Sequence, residues 1–249
     1  MSLRKILYTP SGRAGAYANG GYAANIFKGC THGCKYCYVP DFLKMNADQR
    51  KAFKETVTPA PDVLARITKD LKKLGKLPEP VFLCFTCDPY PVDPLMQIYT
   101  RDIINIILNS DNAVNILTKA GTRAVRDFDL LSMDRRNKVG ATLTFYDEEL
   151  SREWEPEAAA PINRVEMLRT AKESGITTWA SIEPVIVPSE SLKTMELALP
   201  YVDEFKIGKW NHDKAAEAID WRKFAGDAVA LMEKNGKRYV LKDDLKAYL

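Results

Sequence analysis

The stretch from residue 81 to residue 118 decides the fold. It holds two apolar runs, VFLCFTC (81–87) and AVNILT (113–118), with the helical pattern TRDIINIILN (100–109) between them. Neither run has the regular alternation of a strand with one wet face, so both predict strands that are buried on two sides. Buried strands that are joined through a helix predict a parallel sheet.

The same alternation continues on both sides of this stretch. Upstream, YAANIFK (22–28) predicts the first strand, and residues 61–75 predict a helix with Asp62 as N-cap and Gly75 as C-cap. Downstream, further elements follow in turn, with strands at 138–145, 176–182 and 202–208 and helices at 122–133, 162–175, 191–200 and 221–236. About six strand–helix units predict an α/β fold, either an open doubly wound sheet or a partial or complete barrel. In either, reactive groups gather at the C-terminal ends of the strands.

Composition narrows the class of protein. Of the 249 residues, 46% are hydrophobic and 28% are charged, which argues against disorder. No apolar run approaches the roughly eighteen residues of a membrane span, and residues 1–15 lack the pattern of a secretory signal, so we expect a cytoplasmic protein. The net charge of +3 is too mild to establish a nucleic-acid partner. The lysines and arginines of 50–76 form either a solvated helix face or a phosphate-binding track.

Three of the five cysteines lie in GCTHGCKYCYVP (29–40), directly after the first predicted strand. In the cytoplasm thiols stay reduced, which argues against a disulfide framework. Structural zinc normally takes four ligands, and here the fourth would have to be His32 or a distant cysteine. A four-iron cluster on three cysteines keeps one iron open for a ligand, so three thiols without an obvious fourth favour an iron–sulfur site.

The spacing Cys30-x3-Cys34-x2-Cys37, with the aromatic Tyr36 before the last cysteine, resembles the cluster motif of the radical S-adenosylmethionine (radical SAM) enzymes. Over about 22–211 the chain is similar to the spore photoproduct lyase family, including the lyase-like proteins described as DNA repair photolyase homologues. Six segments in order carry this resemblance: CKYCY (34–38), FTCDPYPVDP (85–94), ILTKAGTRAVRDFDLL (116–131), EPEAAAPINR (155–164), SIEPVIVP (181–188) and KIGKWN (206–211).

The resemblance implies a single radical SAM domain over 1–249, a partial (β/α)6 barrel of the TIM type with its core at about 22–211 and a C-terminal helix and short tail at 212–249. It implies a 4Fe–4S cluster and S-adenosylmethionine as cofactors, and an electron donor such as flavodoxin or ferredoxin as a partner. The expected reaction is reductive cleavage of S-adenosylmethionine to a 5′-deoxyadenosyl radical, which takes a hydrogen atom from a nucleic-acid base in a lyase-like, DNA-repair type of chemistry. The alternatives are modification of a peptide or small metabolite, and a non-enzymatic, zinc-stabilised nucleic-acid-binding module.

The resemblance also suggests roles for individual residues. Cys30, Cys34 and Cys37 are the expected cluster ligands, and Tyr36 is expected to pack beside the cluster and the adenine. The other expected cofactor contacts are Lys119 to the carboxylate, Asp88 and Tyr90 in a positioning loop, Thr144 at the end of the fourth strand, and Arg164. We expect Glu155 to pair with Arg164 and Glu183, at the end of the fifth strand, to make polar contacts.

Two residues are candidates for catalysis. Tyr38 flanks the last cluster cysteine, and Cys87 lies where the second strand is expected to end. The hydrogen-donating cysteine of spore photoproduct lyase aligns with Phe85, and an extended strand would put Cys87 on the same face as Phe85 and Cys84 on the opposite one. This predicts a reactive Cys87 and an inert, buried Cys84. Elsewhere we expect Trp179 and Trp210 to pack and His212 to lie at a surface or cap.

Overall fold

The computed structural model describes residues 5–211 and 213–249, so His212 lies outside the described residues. The strands in the described part are β1 (Leu7–Tyr8), β2 (Ala23–Ala24), β3 (Phe27–Lys28), β4 (Thr58–Pro59), β5 (Val81–Leu83), β6 (Val114–Thr118), β7 (Lys138–Thr142), β8 (Thr177–Ile182), β9 (Glu204–Ile207) and β10 (Arg238–Leu241). The helices there are α1 (Gly15–Ala18), α2 (Val39–Phe42), α3 (Ala47–Glu55), α4 (Val63–Leu74), α5 (Pro94–Asn109), α6 (Phe128–Leu131), α7 (Glu148–Trp154), α8 (Pro161–Glu173), α9 (Pro188–Ala198), α10 (Trp221–Lys234) and α11 (Asp243–Lys246).

Eight strands form one sheet in the order β1-β2-β5-β6-β7-β8-β9-β10. From β2 to β10 every neighbouring pair is parallel, and only β1 runs antiparallel to its neighbour. Parallel strands need covered faces, and β5, β6 and β8 are buried accordingly along almost their whole length. The predicted α/β fold with a parallel sheet and with the cysteine loop after the first strand is confirmed.

The C-terminal region differs from its prediction. Instead of a helix and a short tail, α10 is followed by β10, a seventh parallel strand that pairs with β9, and then by α11. Its four residues alternate between exposed and half-buried, which is the pattern of an edge strand, and so short a run directly after a helix gives little sequence signal.

The first two predicted strands differ most from their expected bounds. The first is divided into β2 and β3, and the second ends at Leu83, not at residue 87. Beyond Leu83 the backbone N–H groups of Phe85 and Thr86 donate to the side-chain oxygen of Asn25, at 2.8 and 3.0 Å, in place of a neighbouring strand. The Asn25 side chain therefore ends the hydrogen-bond ladder of β5, and residues 84–87 form a loop.

Both predicted cap residues of α4 lie where they were expected. Gly75 ends α4 at a φ of 70°, a backbone conformation that glycine adopts without strain. Asp62 is the residue before α4, but it has a φ of 53° and its side chain makes no capping hydrogen bond. The helix is held by its apolar stripe, in which Val63, Ile67 and Leu71 are buried.

The antiparallel pair β3–β4 closes the base of residues 29–57, which we call the cysteine excursion because it carries the three clustered cysteines together with α2 and α3. Gly29 begins it at a φ of 86°, and a Cβ there would lie 1.8 Å from the Thr56 carbonyl oxygen. Only glycine satisfies both conditions, so the residue before Cys30 has to lack a side chain.

In the described part of the chain we find no helix with the length and apolar character that a bilayer crossing demands.

Because Gly29 closes the cysteine excursion against Thr56, we expect Gly29→Ala and Gly20→Ala to lower the free energy of unfolding by different amounts. Gly29→Ala and Gly20→Ala both force a side chain into the left-handed region, which costs about 1–2 kcal/mol. Gly20 has a φ of 76° and open space around it, whereas Gly29 would also clash with Thr56, adding about 1–3 kcal/mol. In urea unfolding we expect the loss in free energy of unfolding to be clearly larger for Gly29→Ala. Equal losses would mean that the excursion is not closed at Thr56.

Candidate active site

A cavity of about 330 Å³ opens at the C-terminal ends of the parallel strands. Residues that follow β3, β5, β6, β8 and β9 line it, as do residues from both ends of the chain. All five cysteines face this one cavity: Cys30, Cys34, Cys37, Cys84 and Cys87. The cavity is large enough for a small organic ligand.

Backbone hydrogen bonds fix the cysteine loop against two other elements. The N–H of Cys30 donates to the Phe53 carbonyl of α3 at 2.8 Å, and the N–H of Lys35 donates to the Trp154 carbonyl at the end of α7, also at 2.8 Å. Burial raises the pKa of each of the three clustered thiols, that of Cys34 to about 11. A metal centre on these sulfurs therefore has to displace their protons.

The three clustered thiols are compatible with an iron–sulfur cluster. Cys30, Cys34 and Cys37 line one shared cavity. A four-iron cluster takes each thiolate to a different iron, so it does not require the three sulfurs to converge on one point. Among the described residues, no three histidine, cysteine or acidic side chains form a group that could hold a single metal ion.

Behind the cysteine loop lies a buried ion pair. Arg164, 1% exposed, donates to Glu155, and it also donates to the carbonyls of Thr142 and Ala159 at 3.1 and 2.7 Å. The Tyr36 hydroxyl donates to the other oxygen of Glu155. The predicted Glu155–Arg164 pair is present, and Arg164 is not among the cavity-lining residues: it supports Tyr36 through Glu155.

Lys119 follows β6 directly and lines the cavity, with its ammonium 5.6 Å from the centre of the Tyr36 ring. Burial opposes its charge, but the neighbouring Cys34 and Glu155 outweigh that effect and hold the pKa of Lys119 above its usual value. The side chain is therefore a cation beside the cysteine loop, able to bind a carboxylate.

Asp88 connects three parts of the site. Its carboxylate accepts from the Thr118 hydroxyl at 2.7 Å and from the N–H groups of Lys119 and Tyr90 at 2.8 Å each. On its other side Nδ1 of His32 lies 3.4 Å away. These contacts bind the loop after β5 to the end of β6 and to the cysteine loop.

Two predicted contact residues do not face the cavity. Tyr90 is fully buried, and its hydroxyl lies against Asp127 on the far side of the turn. Thr144 is also buried and is absent from the cavity lining, because β7 ends at Thr142, and it is Thr142 that lines the cavity. Asp88 and Lys119 do line it.

The two cysteines after β5 differ from their prediction. Because β5 ends at Leu83, residues 84–87 are not extended, and the expected opposite orientation of Cys84 and Cys87 is wrong. Both thiols line the cavity, and Cys84 lies near enough to act on the pKa of Cys87. Burial, followed by the contact with Cys84, raises the pKa of Cys87 well above its usual value.

Tyr38 stands at the mouth of the cavity. It is 43% exposed, and its hydroxyl donates to the Phe85 carbonyl at 2.8 Å. Of the two predicted packing residues, Trp179 is buried and does not line the cavity, whereas Trp210 is buried and lines it.

At the far end of the cavity, an ionic cluster surrounds Glu183. Its carboxylate binds Arg13 and Lys242 and accepts from the Tyr17 hydroxyl at 2.8 Å. Arg13 also lies 3.0 Å from Asp244, and the Lys242 ammonium lies 3.8 Å from the centre of the Tyr17 ring. Sequence reasoning named Glu183 but missed its partners, since single charges near the two ends of a chain form no motif.

A model of the radical SAM superfamily matches residues 24–199. The chain is 28% identical to the uncharacterized protein ORF301 of Acidianus two-tailed virus, over 94% of this chain and 83% of that one. It is 30% identical to the uncharacterized protein MJ0683 of Methanocaldococcus jannaschii, over 66% of this chain and 60% of that one.

Two solved structures share the fold. Spore photoproduct lyase complexed with dinucleoside spore photoproduct aligns with a TM-score of 0.67 and 14% identity over 96% of this chain and 81% of that one. Streptococcus suis SuiB bound to S-adenosylmethionine aligns with a TM-score of 0.63 and 12% identity over 88% of this chain and 49% of that one. This chain thus spans about half the length of SuiB. Sequence identities of 12% and 14% show a shared fold and nothing about a shared function.

The cluster around Glu183 predicts a large loss of stability on its neutralisation. Glu183→Gln leaves the nearly buried Lys242 (8% exposed) without its carboxylate and removes one of the two acidic partners of Arg13, which we expect to cost about 3 kcal/mol in urea unfolding. The control is Glu153→Gln, which breaks a pair with Lys35 whose partners are 60% and 50% exposed, and it should cost less than about 1 kcal/mol. Similar losses for both variants would show that the far-end cluster does not hold the two chain ends together.

Proposed function

The chain belongs to the radical SAM superfamily, and on this premise we propose that it is an enzyme that binds a 4Fe–4S cluster on Cys30, Cys34 and Cys37 and binds S-adenosylmethionine beside it. The observation that carries the proposal is that these three thiols, the ring of Tyr36 and the cation of Lys119 line one cavity at the C-terminal edge of the sheet. When bound, the cluster supplies the electron that cleaves the sulfonium to methionine and a 5′-deoxyadenosyl radical.

The protein's own task is to bind and orient the cofactor. Lys119 offers its ammonium to the amino-acid carboxylate of S-adenosylmethionine, in a charge-assisted hydrogen bond. Tyr36 offers an aromatic face, and its hydroxyl is fixed by Glu155, which is in turn fixed by Arg164. Burial alone would raise the pKa of Glu155, but Arg164 and Lys119 hold it below its usual value, so the carboxylate stays charged.

We propose a nucleic-acid base as the substrate, in a lyase-like reaction. The support is the ordered set of short segments shared with the spore photoproduct lyase family and the chemistry of the cavity mouth. Tyr38, 43% exposed at this mouth, presents an aromatic surface on which a base can stack. The alternative substrates are a peptide or a small metabolite.

We further propose that Cys87 donates a hydrogen atom to the substrate radical, with Tyr38 at its side. A donor of this kind must carry its S–H hydrogen, and the raised pKa of Cys87 keeps it protonated at neutral pH. Tyr38 is near enough for Cys87 to contribute to the raised pKa of its hydroxyl. In the transfer the S–H bond breaks, a C–H bond forms on the product, and the unpaired electron moves to sulfur.

The cluster proposal predicts iron content and cofactor cleavage together. Anaerobic reconstitution should give about four irons per chain. Alanine at Cys30, Cys34 or Cys37 should abolish 5′-deoxyadenosine formation, since each thiol holds a different iron. Cys84→Ala is the control in the same cavity and should keep both iron and activity. Stoichiometric zinc with no cluster after reconstitution would instead favour the zinc-stabilised nucleic-acid-binding module.

Isotope transfer tests the substrate class and the role of Cys87 in one assay. With a deuterated oligonucleotide we expect deuterium in 5′-deoxyadenosine, both for the wild type and for Cys87→Ala, because abstraction precedes quenching. The Cys87→Ala variant should lose or redirect the product, whereas Cys84→Ala should retain it. Deuterium that arrives only from a peptide would contradict the nucleic-acid assignment, and an unchanged product from Cys87→Ala would reduce that thiol to a packing role.

A further inference from the structure

The cations that line the cavity fall into two classes. Among the described residues, the lysines and arginines in the lining are Arg13, Lys119, Lys209 and Lys242. Arg13 and Lys242 are paired with Glu183 in the far-end cluster. In the described part of the chain, no carboxylate lies within ion-pair distance of the ammonium of Lys119 or of Lys209. These two ammonium groups are therefore available to anionic ligands.

The ammonium of Lys209 is held by neutral groups. It lies 5.2 Å from the centre of the Trp221 ring and 5.0 Å from that of the Tyr248 ring, and it donates to the Tyr248 hydroxyl at 3.1 Å. Aromatic faces attract a cation but leave its charge in place. An ammonium has three N–H donors, and among the described residues only the Tyr248 hydroxyl accepts from this one, so donors remain for a ligand.

The backbone of Lys209 is fixed where β9 ends. The N–H of the preceding Gly208 donates to the Ile182 carbonyl of β8 at 3.1 Å. A Cβ on Gly208 would lie 2.9 Å from Cδ of Glu183 and 3.0 Å from Cδ of Lys242. Glycine at this position lets Glu183 and Lys242 meet beside the strand end, so Lys209 starts from a backbone that is packed against the far-end cluster.

Lys119 and Lys209 belong to different ends of the cavity. The ammonium of Lys119 lies against the Tyr36 ring, beside the cysteine loop. The strands β7 and β8 separate β6, which Lys119 follows, from β9, which Lys209 follows. S-adenosylmethionine has one carboxylate, and the proposed function assigns that carboxylate to Lys119. Lys209 is therefore left for an anionic group of another molecule.

The charges of the far end leave room for such a group. Arg13 and Lys242 are positive, and Glu183 and Asp244, which they contact, are negative. These four charges balance, so Lys209 adds a surplus of one positive charge. An anion at Lys209 would neutralise this surplus without displacing a carboxylate of the protein.

We propose that Lys209 binds an anionic group of the substrate, which in a nucleic-acid substrate is a phosphodiester. The proposal rests on the proposed function, because the assignment of Lys119 to the cofactor is what leaves Lys209 to the substrate. Lysine binds phosphate as a compact point charge, in a charge-assisted hydrogen bond. An anion held at the far end directs the rest of the substrate across the cavity, toward the cysteine loop, and no bond forms or breaks in this binding.

The test is an anaerobic calorimetric titration of the reconstituted protein at saturating S-adenosylmethionine. One ligand is a thymidine dinucleotide, which carries a single phosphodiester, and the other is its methylphosphonate analogue, which has the same bases and no charge. The variants are Lys209→Gln and Lys209→Arg. The control is Lys223→Gln, which removes the same charge from a side chain that is 70% exposed on α10.

We expect Lys209→Gln to bind the dinucleotide about tenfold more weakly than the wild type, which is the usual effect of losing one hydrogen bond to a charged group. Lys209→Arg keeps the charge and should retain most of the affinity, and Lys223→Gln should match the wild type. The uncharged analogue should bind equally to the wild type and to Lys209→Gln. Lys119→Gln should show the reverse selectivity, with weaker binding of S-adenosylmethionine and unchanged binding of the dinucleotide.

Equal affinity of the wild type and Lys209→Gln for the dinucleotide would overturn the proposal and reduce Lys209 to a packing contact with Trp221 and Tyr248. So would an equal loss of affinity for the uncharged analogue, or a wild type that binds neither the dinucleotide nor a peptide with a free carboxylate. Binding of such a peptide alone, lost on its amidation and in Lys209→Gln, would confirm the anion site and contradict the nucleic-acid substrate. Failure of the wild type to form any cluster would refute the proposed function, whereas the dinucleotide titration of the same protein would still decide the anion site.

Discussion

Two buried carboxylates hold the cysteine loop in place, and the geometry of the cavity depends on them. Asp88 faces His32 and accepts from the end of β6, and Glu155 accepts from Tyr36 and from Arg164. A buried carboxylate is costly unless its oxygens are fully used, and in both cases the partners outweigh burial and keep the pKa low. Each carboxylate ties one residue of the loop to a different strand end, so the three cysteines are positioned from two sides at once. Removal of either would release one side of the loop, and removal of both would leave it attached mainly by backbone contacts such as those to α3 and α7.

Much of this arrangement could be predicted from the sequence. The order of strands and helices, the place of the cysteine loop and the Glu155–Arg164 pair follow from periodicity, cysteine spacing and the compensation of a charge near a helix start. What could not be predicted depends on contacts between distant residues. The side chain of Asn25, sixty positions before Phe85, sets the end of β5. Cys84 and Cys87 therefore lie in a loop and not on opposite faces of a strand. The partners of Glu183 come from the first and last twenty residues, where isolated charges carry no pattern.

The two ends of the cavity are formed by different parts of the chain. The cysteine loop, Tyr36, Lys119 and the ion pair behind them all lie within the matched residues 24–199. Arg13, Tyr17 and Lys242, which meet at Glu183, lie outside that range. The residues of the proposed cofactor end thus lie within the matched range, and the N-terminal helical segment together with Lys242, directly after β10, supplies the opposite wall.

The five cysteines in one cavity are distinguished by the charges around them. Burial disfavours the thiolate at all three loop positions, but Lys119 lies near both Cys34 and Cys37, Arg164 acts on the first, and Lys54 acts on the second. These cations favour deprotonation, which ligation of iron requires. Around Cys87 the neighbouring groups are Cys84 and Asp88, and both oppose a negative sulfur. The pKa is thus raised at all these sulfurs, but nearby cations oppose the effect of burial at Cys34 and Cys37, whereas Cys84 and Asp88 add to it at Cys87. This difference supports the proposal that metal binding and hydrogen-atom donation belong to different sulfurs of one cavity.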